Sequence, residues 1–377
     1  MKNIIILGTG QVGRAMALDL CRDFSVLATD KDEKALFKLK TVENLEKELL
    51  DVNDSGNLQK MVEPFDLVIN AVPGTIGFAT FKRIVDLGKP LVDIAFFEQD
   101  PFAMHKTAVE KGIPAFVDCG VAPGMSHILL GYWTQYMDVD DYICYVGGLP
   151  KKRQWPYEYK APFSPVDVLE EYIRPARYVV NYQVVTKPAL SDPELVDIDP
   201  IGTLEAFNTD GLRTLLKNQL APNMIEKTLR YPGHRQIMQI LRDSGFLNKN
   251  KIQIKDQSIR PIDLTSRLLF EQWYLDDTEE EFTAMQVLMR GSRKGRKRQI
   301  RYDLFDTFHS ETKTSSMART TGYTATAIAR LYLQNRLKQT GVIPPESIIR
   351  NKADFEYLMQ LFEERDIYYH FSQQEDE

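Results

Sequence analysis

The chain has 377 residues, of which 43% are hydrophobic and 27% charged, with a formal net charge of -6 and three cysteines. That length suits two domains better than one small core, and the acidic balance argues against nucleic acid or an anionic membrane as the main partner. Cys21, Cys119 and Cys144 lie too far apart for a disulfide framework or a zinc pattern, so no metal is expected. The N-terminal apolar run is too short for a signal sequence or a membrane span, and a cytoplasmic protein is expected.

Residues 4–7, IIIL, predict a strand covered on both faces. GTGQVG follows at once, then RAMALDLCRD with apolar residues at helical spacing. Further strands are expected at SVLATD, LEKELLD, DLVINAV (66–72), PLVDIA (90–95) and PAFVDCG (114–120), with helices near 55–63, 76–88 and 99–111. This alternation predicts an α/β fold with a doubly wound parallel sheet of Rossmann type. A GxGxxG run says little alone. Between a strand and a helix, with Asp30 ending the next strand, it predicts a dinucleotide site. Gly8 would make the tight turn and Gly10 would let the main chain approach a pyrophosphate. Gly13 would let the helix pack on the strand, with Gln11 and Val12 also at the cofactor. Asp30 would accept from ribose hydroxyls and repel a 2′-phosphate, which favours NAD; Lys31 keeps NADP as second choice. The adenine end is expected near Asp51, Val52 and Asp54, and the nicotinamide end near Asn70, Ala71, Val72 and Pro73.

After Gly120 the pattern changes. VAPGMSHILLGYW predicts a turn and then an amphipathic helix through about residue 137. Strand-like runs follow at DYICYVGG, ARYVVNYQVVT, EKTLRYPG, IQIKDQSIRP, FTAMQVLMRG and QIRYDLFD, with helices at 165–174, 234–245 and 261–273. Few helices separate these strands, so an inserted α+β domain on a mostly antiparallel sheet is expected. RGSRKGRKRQIR (290–301) carries seven lysines and arginines, two glycines and no aromatic, which reads as a solvated hairpin tip. SSMARTTGYTATAIARLYLQNRL predicts a long helix with Ala325, Ile328, Leu331 and Tyr332 on one side, stopped by TGVIPPES. The tail SQQEDE is expected to fray.

GVAPGMSHIL, VGGLP, YEYKAPFSPVDVLEEYIRPARYVVN, LEAFNTDGL, TLRYPGH and MARTTGYTATAIA occur in this order. Together they resemble the saccharopine dehydrogenase superfamily, most of all its lysine 6-dehydrogenase branch. The resemblance implies a discontinuous nucleotide-binding domain, 1–124 with 317–377, and an inserted domain, 125–316, that holds an amino acid and helps to form a homodimer or higher homo-oligomer. It implies an NAD(P)-dependent dehydrogenase oxidising CH–NH or CH–NH2 groups, with Arg319 and Thr320 near the cleft. Ala122 stands where saccharopine-cleaving members typically have an acid, which favours the lysine side-chain amine as substrate. Saccharopine or carboxynorspermidine dehydrogenase is the alternative, with Arg174 or Arg177 as a second carboxylate anchor. A non-catalytic NAD(H)-binding protein is an alternative of another class. The family's NGQ turn reads Asn181-Tyr182-Gln183, and because tyrosine tolerates φ > 0 poorly a longer loop is expected.

Amine oxidation needs an unprotonated nitrogen, so a base or a desolvating pocket must take its proton, and an amino-acid carboxylate calls for arginine. Arg230 is the leading carboxylate anchor and His234 the proton acceptor or a polar contact, with Tyr231 between them in TLRYPGH. Asp93 and Asp118 end strands near the nicotinamide and could serve as base or as loop caps; Cys119 is expected to pack. Tyr159 and Glu158 would line the pocket or form a packed cover loop, and Gly147 and Gly148 would end a strand and let the substrate approach the main chain. Asn208 and Asp210 would bind the substrate nitrogen or form a turn, and His127 would face a cleft or solvent.

Overall fold

The computed structural model describes residues 1–161, 165–276 and 279–375. Residues 162–164 of the YEYKAPFSP motif and 376–377 of the tail lie outside the described residues. The chain forms two compact units, Met1–Gln135 with Met317–Ile367, and Tyr136–Ser316 with the residues from Tyr368 on. The sequence divides the chain after residue 124 and gives the whole tail to the first domain; here residues 125–135 stay with the first unit and the last strand joins the second.

The first unit begins β1 (Asn3–Leu7), α1 (Gln11–Leu20), β2 (Ser25–Asp30), α2 (Glu33–Lys38), β3 (Leu45–Leu49), α3 (Ser55–Val62), β4 (Leu67–Asn70), α4 (Gly74–Asp86), β5 (Leu91–Asp93), α5 (His105–Glu110), β6 (Pro114–Phe116) and α6 (Met125–Trp133). Ile4 to Leu7 are wholly buried, as a strand covered on both faces requires. Asp54 starts α3 by accepting the N–H groups of Gly56 and Asn57. The expected amphipathic face of α6 is absent, because Met125 to Tyr132 are all buried. A Cβ on Gly131 would lie 2.8 Å from Glu346 Cα, and Tyr132 stacks on Phe355 with ring centroids 3.8 Å apart, so the late chain covers its outer side.

The second unit contains β7 (Asp138–Pro150), α7 (Pro165–Ile173), β8 (Ala176–Val180), β9 (Gln183–Lys187), β10 (Glu194–Ile198), β11 (Gly202–Asn208), α8 (Leu215–Asn218), β12 (Asn223–Arg230), α9 (His234–Asp243), β13 (Ile252–Ile254), β14 (Gln257–Ile259), α10 (Pro261–Trp273), β15 (Glu281–Arg293) and β16 (Arg296–Thr307). The chain returns to the first unit through α11 (Ser316–Leu333), β17 (Gly341–Ile343) and α12 (Lys352–Glu363), and ends on β18 (Tyr369–Glu375) in the second.

The first sheet runs β17-β6-β5-β4-β1-β2-β3 and is parallel throughout. Strand order reverses between β1 and β4, which is where ligands of such sheets gather. β17 adds a strand that its three residues are too few to announce by any period. The second sheet has nine strands, β10-β11-β12-β7-β15-β16-β18 with β8 and β9 attached through β12. Its pairs are antiparallel except β12 with β7. Three expectations change here. Asn181 and Tyr182, at φ +49° and +60°, form a tight two-residue turn with Val180 opposite Gln183, where a longer loop was expected. Their N–H groups donate to Asn223 Oδ1 and Pro222 O, and the tyrosine ring is half-exposed, so little opposes the left-handed backbone. Residues 252–259 form a separate hairpin, with Lys255 at φ +54° in its turn, and Pro261 already opens α10. The tail does not fray through 375, because it pairs with β16 from Leu304↔Tyr369 to Arg298↔Glu375. The basic run is a hairpin tip, with Arg293 opposite Arg296 and exposed Lys294, Arg296 and Lys297.

Candidate functional site

β1 ends at Leu7 and the chain turns at Gly8, φ +100°, where a Cβ would lie 2.6 Å from Ala71 O. A Cβ on Gly13 would strike the Gly8 carbonyl oxygen, whereas one on Gly10 would meet nothing within 4 Å. The chain therefore closes tightly around Gly8 and Gly13 and leaves open space over Gly10. Gly10 caps α1 without any side-chain bond, and the first turn, which holds Gln11 and Val12, has no acidic residue. Uncapped N–H groups at the positive end of a helix, beside open space, are a donor set that fits a diphosphate. Asp30 fixes the other side of the loop. Its Oδ2 accepts from Thr9 N (2.7 Å) and Thr9 Oγ1 (3.2 Å), and its Oδ1 accepts from Asp32 N (3.0 Å). Asp51 bends the chain after β3 by accepting from Asn53 N at 2.9 Å. Ala71 N donates to Leu7 O (2.8 Å), and Val72 and Pro73 lead into α4, whose first turn is also without a side-chain cap.

Behind the loop, a buried ion cluster anchors α1. Asp19 meets Arg330 Nη1 (2.6 Å), Arg365 Nε (2.7 Å) and Thr326 Oγ1 (2.6 Å). Burial pushes the Asp19 carboxyl up, but Arg330 and Arg365 hold it below the usual carboxylate range. Arg319 donates to the carbonyls of Arg365 and Asp366, and Thr320 to that of Met317.

At the carboxyl ends of the central strands, Asn70 Nδ2 donates to Asp93 Oδ2 (2.7 Å), and Asp93 Oδ1 accepts from Ala95 N (2.7 Å). Both side chains are wholly buried, and their bond ties β4 to β5. Asp118 follows β6 with a left-handed backbone, φ +52°, uncommon outside glycine and frequent where function sets the geometry. Cys119 N donates to Asp93 O (3.0 Å), and burial, then Asp93 and Asp118, push its thiol well up. The thiol stays protonated and packs. His127 faces neither cleft nor solvent: it is fully buried, 3.9 Å from the Glu346 carboxylate.

The second unit brings Arg230, His234 and Tyr159 together. Arg230 ends β12, only 3% exposed. Its Nε donates to Tyr172 Oη (3.1 Å), its Nη1 to Leu229 O (2.9 Å) and its Nη2 to Glu171 Oε2 (3.1 Å), and its guanidinium lies 4.6 Å over the Tyr159 ring. Burial works against this charge, but Tyr172, Tyr159 and Glu171 lift its pKa above the ordinary arginine value. His234 opens α9, with Nδ1 2.8 Å from Tyr157 O and Nε2 2.9 Å from Tyr172 Oη. Burial, then the Arg230 charge, lower its pKa to about 3, so the ring is neutral. Trp273 packs edge-on against Tyr157 and Tyr159. Tyr172, Glu171, Tyr157 and Trp273 escaped the sequence reading because a tyrosine in VLEEYI or a tryptophan at a helix end looks like plain core.

Tyr231 turns away, donating from Oη to Pro150 O (3.0 Å), with Arg153 4.7 Å over its ring; Arg153 pairs with Glu158. Asn208 braces the 188–192 loop through Ser191 Oγ (3.1 Å) and Asp192 Oδ2 (2.8 Å). Asp210 takes a two-pronged bond from Arg177 (2.8 and 2.7 Å), and Arg174 meets Glu170 (3.2 Å). Gly147 and Gly148 do not end a strand, because β7 runs on to Pro150. The close approach at Gly147 is to β12, where a Cβ would lie 2.9 Å from Leu229 Cβ, and Gly148 pairs with Thr283. Among the described residues, no group of three or more His, Cys, Asp or Glu is placed to hold a metal ion, and no helix is long and apolar enough to cross a membrane.

The family model of the saccharopine dehydrogenase C-terminal domain matches residues 120–367, and that of the saccharopine dehydrogenase NADP binding domain matches residues 4–116. The chain belongs to the saccharopine dehydrogenase family. Within this family, mitochondrial alpha-aminoadipic semialdehyde synthase of Mus musculus is 26% identical over 269 residues, 66% of this chain and 29% of that protein. The NADP(+), L-glutamate-forming saccharopine dehydrogenase of Pyricularia oryzae is 25% identical over 287 residues, 71% of this chain and 63% of that protein. The chain thus spans under two thirds of the length of either relative. Apo saccharopine dehydrogenase (L-Glu forming) from Saccharomyces cerevisiae has the same fold, with a TM-score of 0.79 at 20% identity over 100% of both chains.

Proposed function

We propose that this chain oxidises the C–N bond of an amino acid, with a nicotinamide dinucleotide as hydride acceptor. The observation that carries the reading is the uncapped start of α1 beside the open space at Gly10, in a chain of this family. When bound, the dinucleotide takes a hydride from the carbon next to nitrogen. Gly10, Gln11, Val12 and Gly13 would hold its diphosphate through main-chain N–H groups. Asp30 ends β2 with its oxygens held by Thr9 and Asp32, and an acid at the end of this strand suits ribose hydroxyls and repels a 2′-phosphate, which supports NAD. The relatives named for NADP make NADP the competing choice.

Arg230 pairs with the amino-acid carboxylate. The amine must lose its proton to free the nitrogen lone pair, and once the hydride has left, water adds to the iminium and splits the bond. Asp93 and Asp118 are the first unit's candidate bases, and both oxygens of Asp93 already accept hydrogen bonds. Saccharopine is the first substrate to test, since relatives are named for it. The lysine side-chain amine is the second reading. It is favoured by Ala122. A panel of saccharopine, lysine and carboxynorspermidine with NAD and NADP, followed by nicotinamide absorbance, tests the proposal. Turnover of one amine supports it; no turnover with any, from neutral to alkaline pH, removes it.

A further inference from the structure

The hydrogen bonds around His234 have a fixed direction. Tyr157 offers Nδ1 a carbonyl, which can only accept, so Nδ1 carries the proton. The neutral ring then presents a lone pair at Nε2, and Tyr172 Oη donates to it. Tyr172 Oη itself accepts from Arg230 Nε. Donation therefore runs Arg230 to Tyr172 to His234 to Tyr157 without conflict, linking β12, α7, α9 and the segment before residue 160. That segment also lays the Tyr159 ring against Arg230, 4.6 Å from the guanidinium, and against His234, 4.9 Å between centroids.

We infer that Tyr172 and His234 are positioning residues: a neutral imidazole, locked as the Nδ1–H tautomer, latches the Tyr157–Tyr159 segment and, through Tyr172, sets the orientation of the Arg230 guanidinium toward a substrate carboxylate. The last clause rests on the amino-acid reading above. A base at this place would need its Nε2 lone pair for the substrate, and Tyr172 holds it. Arg230 from β12, Tyr172 and Glu171 from α7 and Tyr159 from the covering segment are the titratable groups gathered here, and Trp273 from α10 completes the apolar wall. Burial and the guanidinium keep the ring from taking a proton near neutral pH.

Two amide replacements separate the parts of the latch. His234→Asn keeps a short donor for Tyr157 and loses the acceptor for Tyr172, whereas His234→Gln keeps the acceptor and loses the donor. Together with Tyr172→Phe, each should raise KM for the amino acid about tenfold, leave kcat within about threefold and leave dinucleotide affinity unchanged. The kcat pH profile should keep its limbs, and amide hydrogen exchange of residues 157–159 should speed up more in His234→Gln than in His234→Asn. A thousandfold drop in kcat with loss of a limb and unchanged KM would make His234 the base and overturn the inference. Nitrogen-15 NMR of the full-length wild-type protein, with His234 assigned from a variant, gives a readout without turnover. The ring should remain the neutral Nδ1–H tautomer from neutral pH down to about pH 5, and titration near the ordinary imidazole value would refute the latch. If no amine is oxidised, the functional reading fails while the NMR and exchange results still decide this one.

Discussion

Around Gly8–Gly13 the groups that would meet a ligand are main-chain N–H groups from one short stretch, and side chains matter there mostly by their absence. Around Arg230 they are side chains drawn from residues 157–159, 171–172, 230–234 and 273. The first region presents the open positive end of a helix and asks its neighbours only for room. The second buries one cation among phenols, a neutral imidazole and a part-exposed carboxylate, so each group depends on its partner being present. A backbone site tolerates change everywhere but at its glycines. A side-chain cluster is sensitive to the loss of single atoms.

Asp19 tests what anchors the backbone site from behind. Removing it by Asp19→Ala takes away the buried carboxylate that Arg330 and Arg365 share, leaving them only the half-exposed Asp23 and Glu364, and denaturant unfolding should show a loss of about 3 kcal/mol. Because the folded-state pKa of Asp19 is depressed, its contribution is present above the unfolded carboxyl value and fades as pH falls through the lower folded value. The wild-type chain should therefore lose stability in acid more steeply than Asp19→Ala. Equal slopes would show that the cluster does not govern this limb.

Arg230→Ala addresses the side-chain region. KM for the amino acid should rise by a factor worth about 1.5–3 kcal/mol, with dinucleotide affinity unchanged. An effect confined to the dinucleotide would reassign the residue. The two glycines sharpen the contrast further. Gly10→Ala has room for its methyl group, so stability should stay within about 0.5 kcal/mol while dinucleotide binding weakens about tenfold. Gly13→Ala should lose both stability and binding, since its Cβ meets main chain. The smallest effect is expected at Asp30. Asp30→Arg should move preference toward NADP, and an unchanged NAD:NADP ratio would take Asp30 out of cofactor selection.

The same contrast explains what was legible in the sequence. IIILGTGQVG is a local pattern in which strand, turn and helix start are consecutive, so both the sheet type and the cradle could be read from it. Arg230 and His234 stood out as the charged and titratable residues of TLRYPGH, but their partners Tyr172 and Tyr157 come from other segments. Pairing across the chain decided the remaining differences. β17 and β18 are strands because β6 and β16 have open edges for them, and the Asn181–Tyr182 turn is tight because register and neighbouring acceptors override the reluctance of tyrosine. α6 is buried all round because later chain covers it, which its own period cannot reveal.

Titration calorimetry of the wild-type chain and Gly10→Ala with NADH and NADPH bears most directly on the central claim, that main-chain N–H groups at the start of α1 hold a nicotinamide dinucleotide. One-to-one binding of at least one nucleotide to the wild type, weakened in the variant without loss of folding, is the predicted result. Absence of binding by either nucleotide, or equal affinity in both proteins, would contradict it.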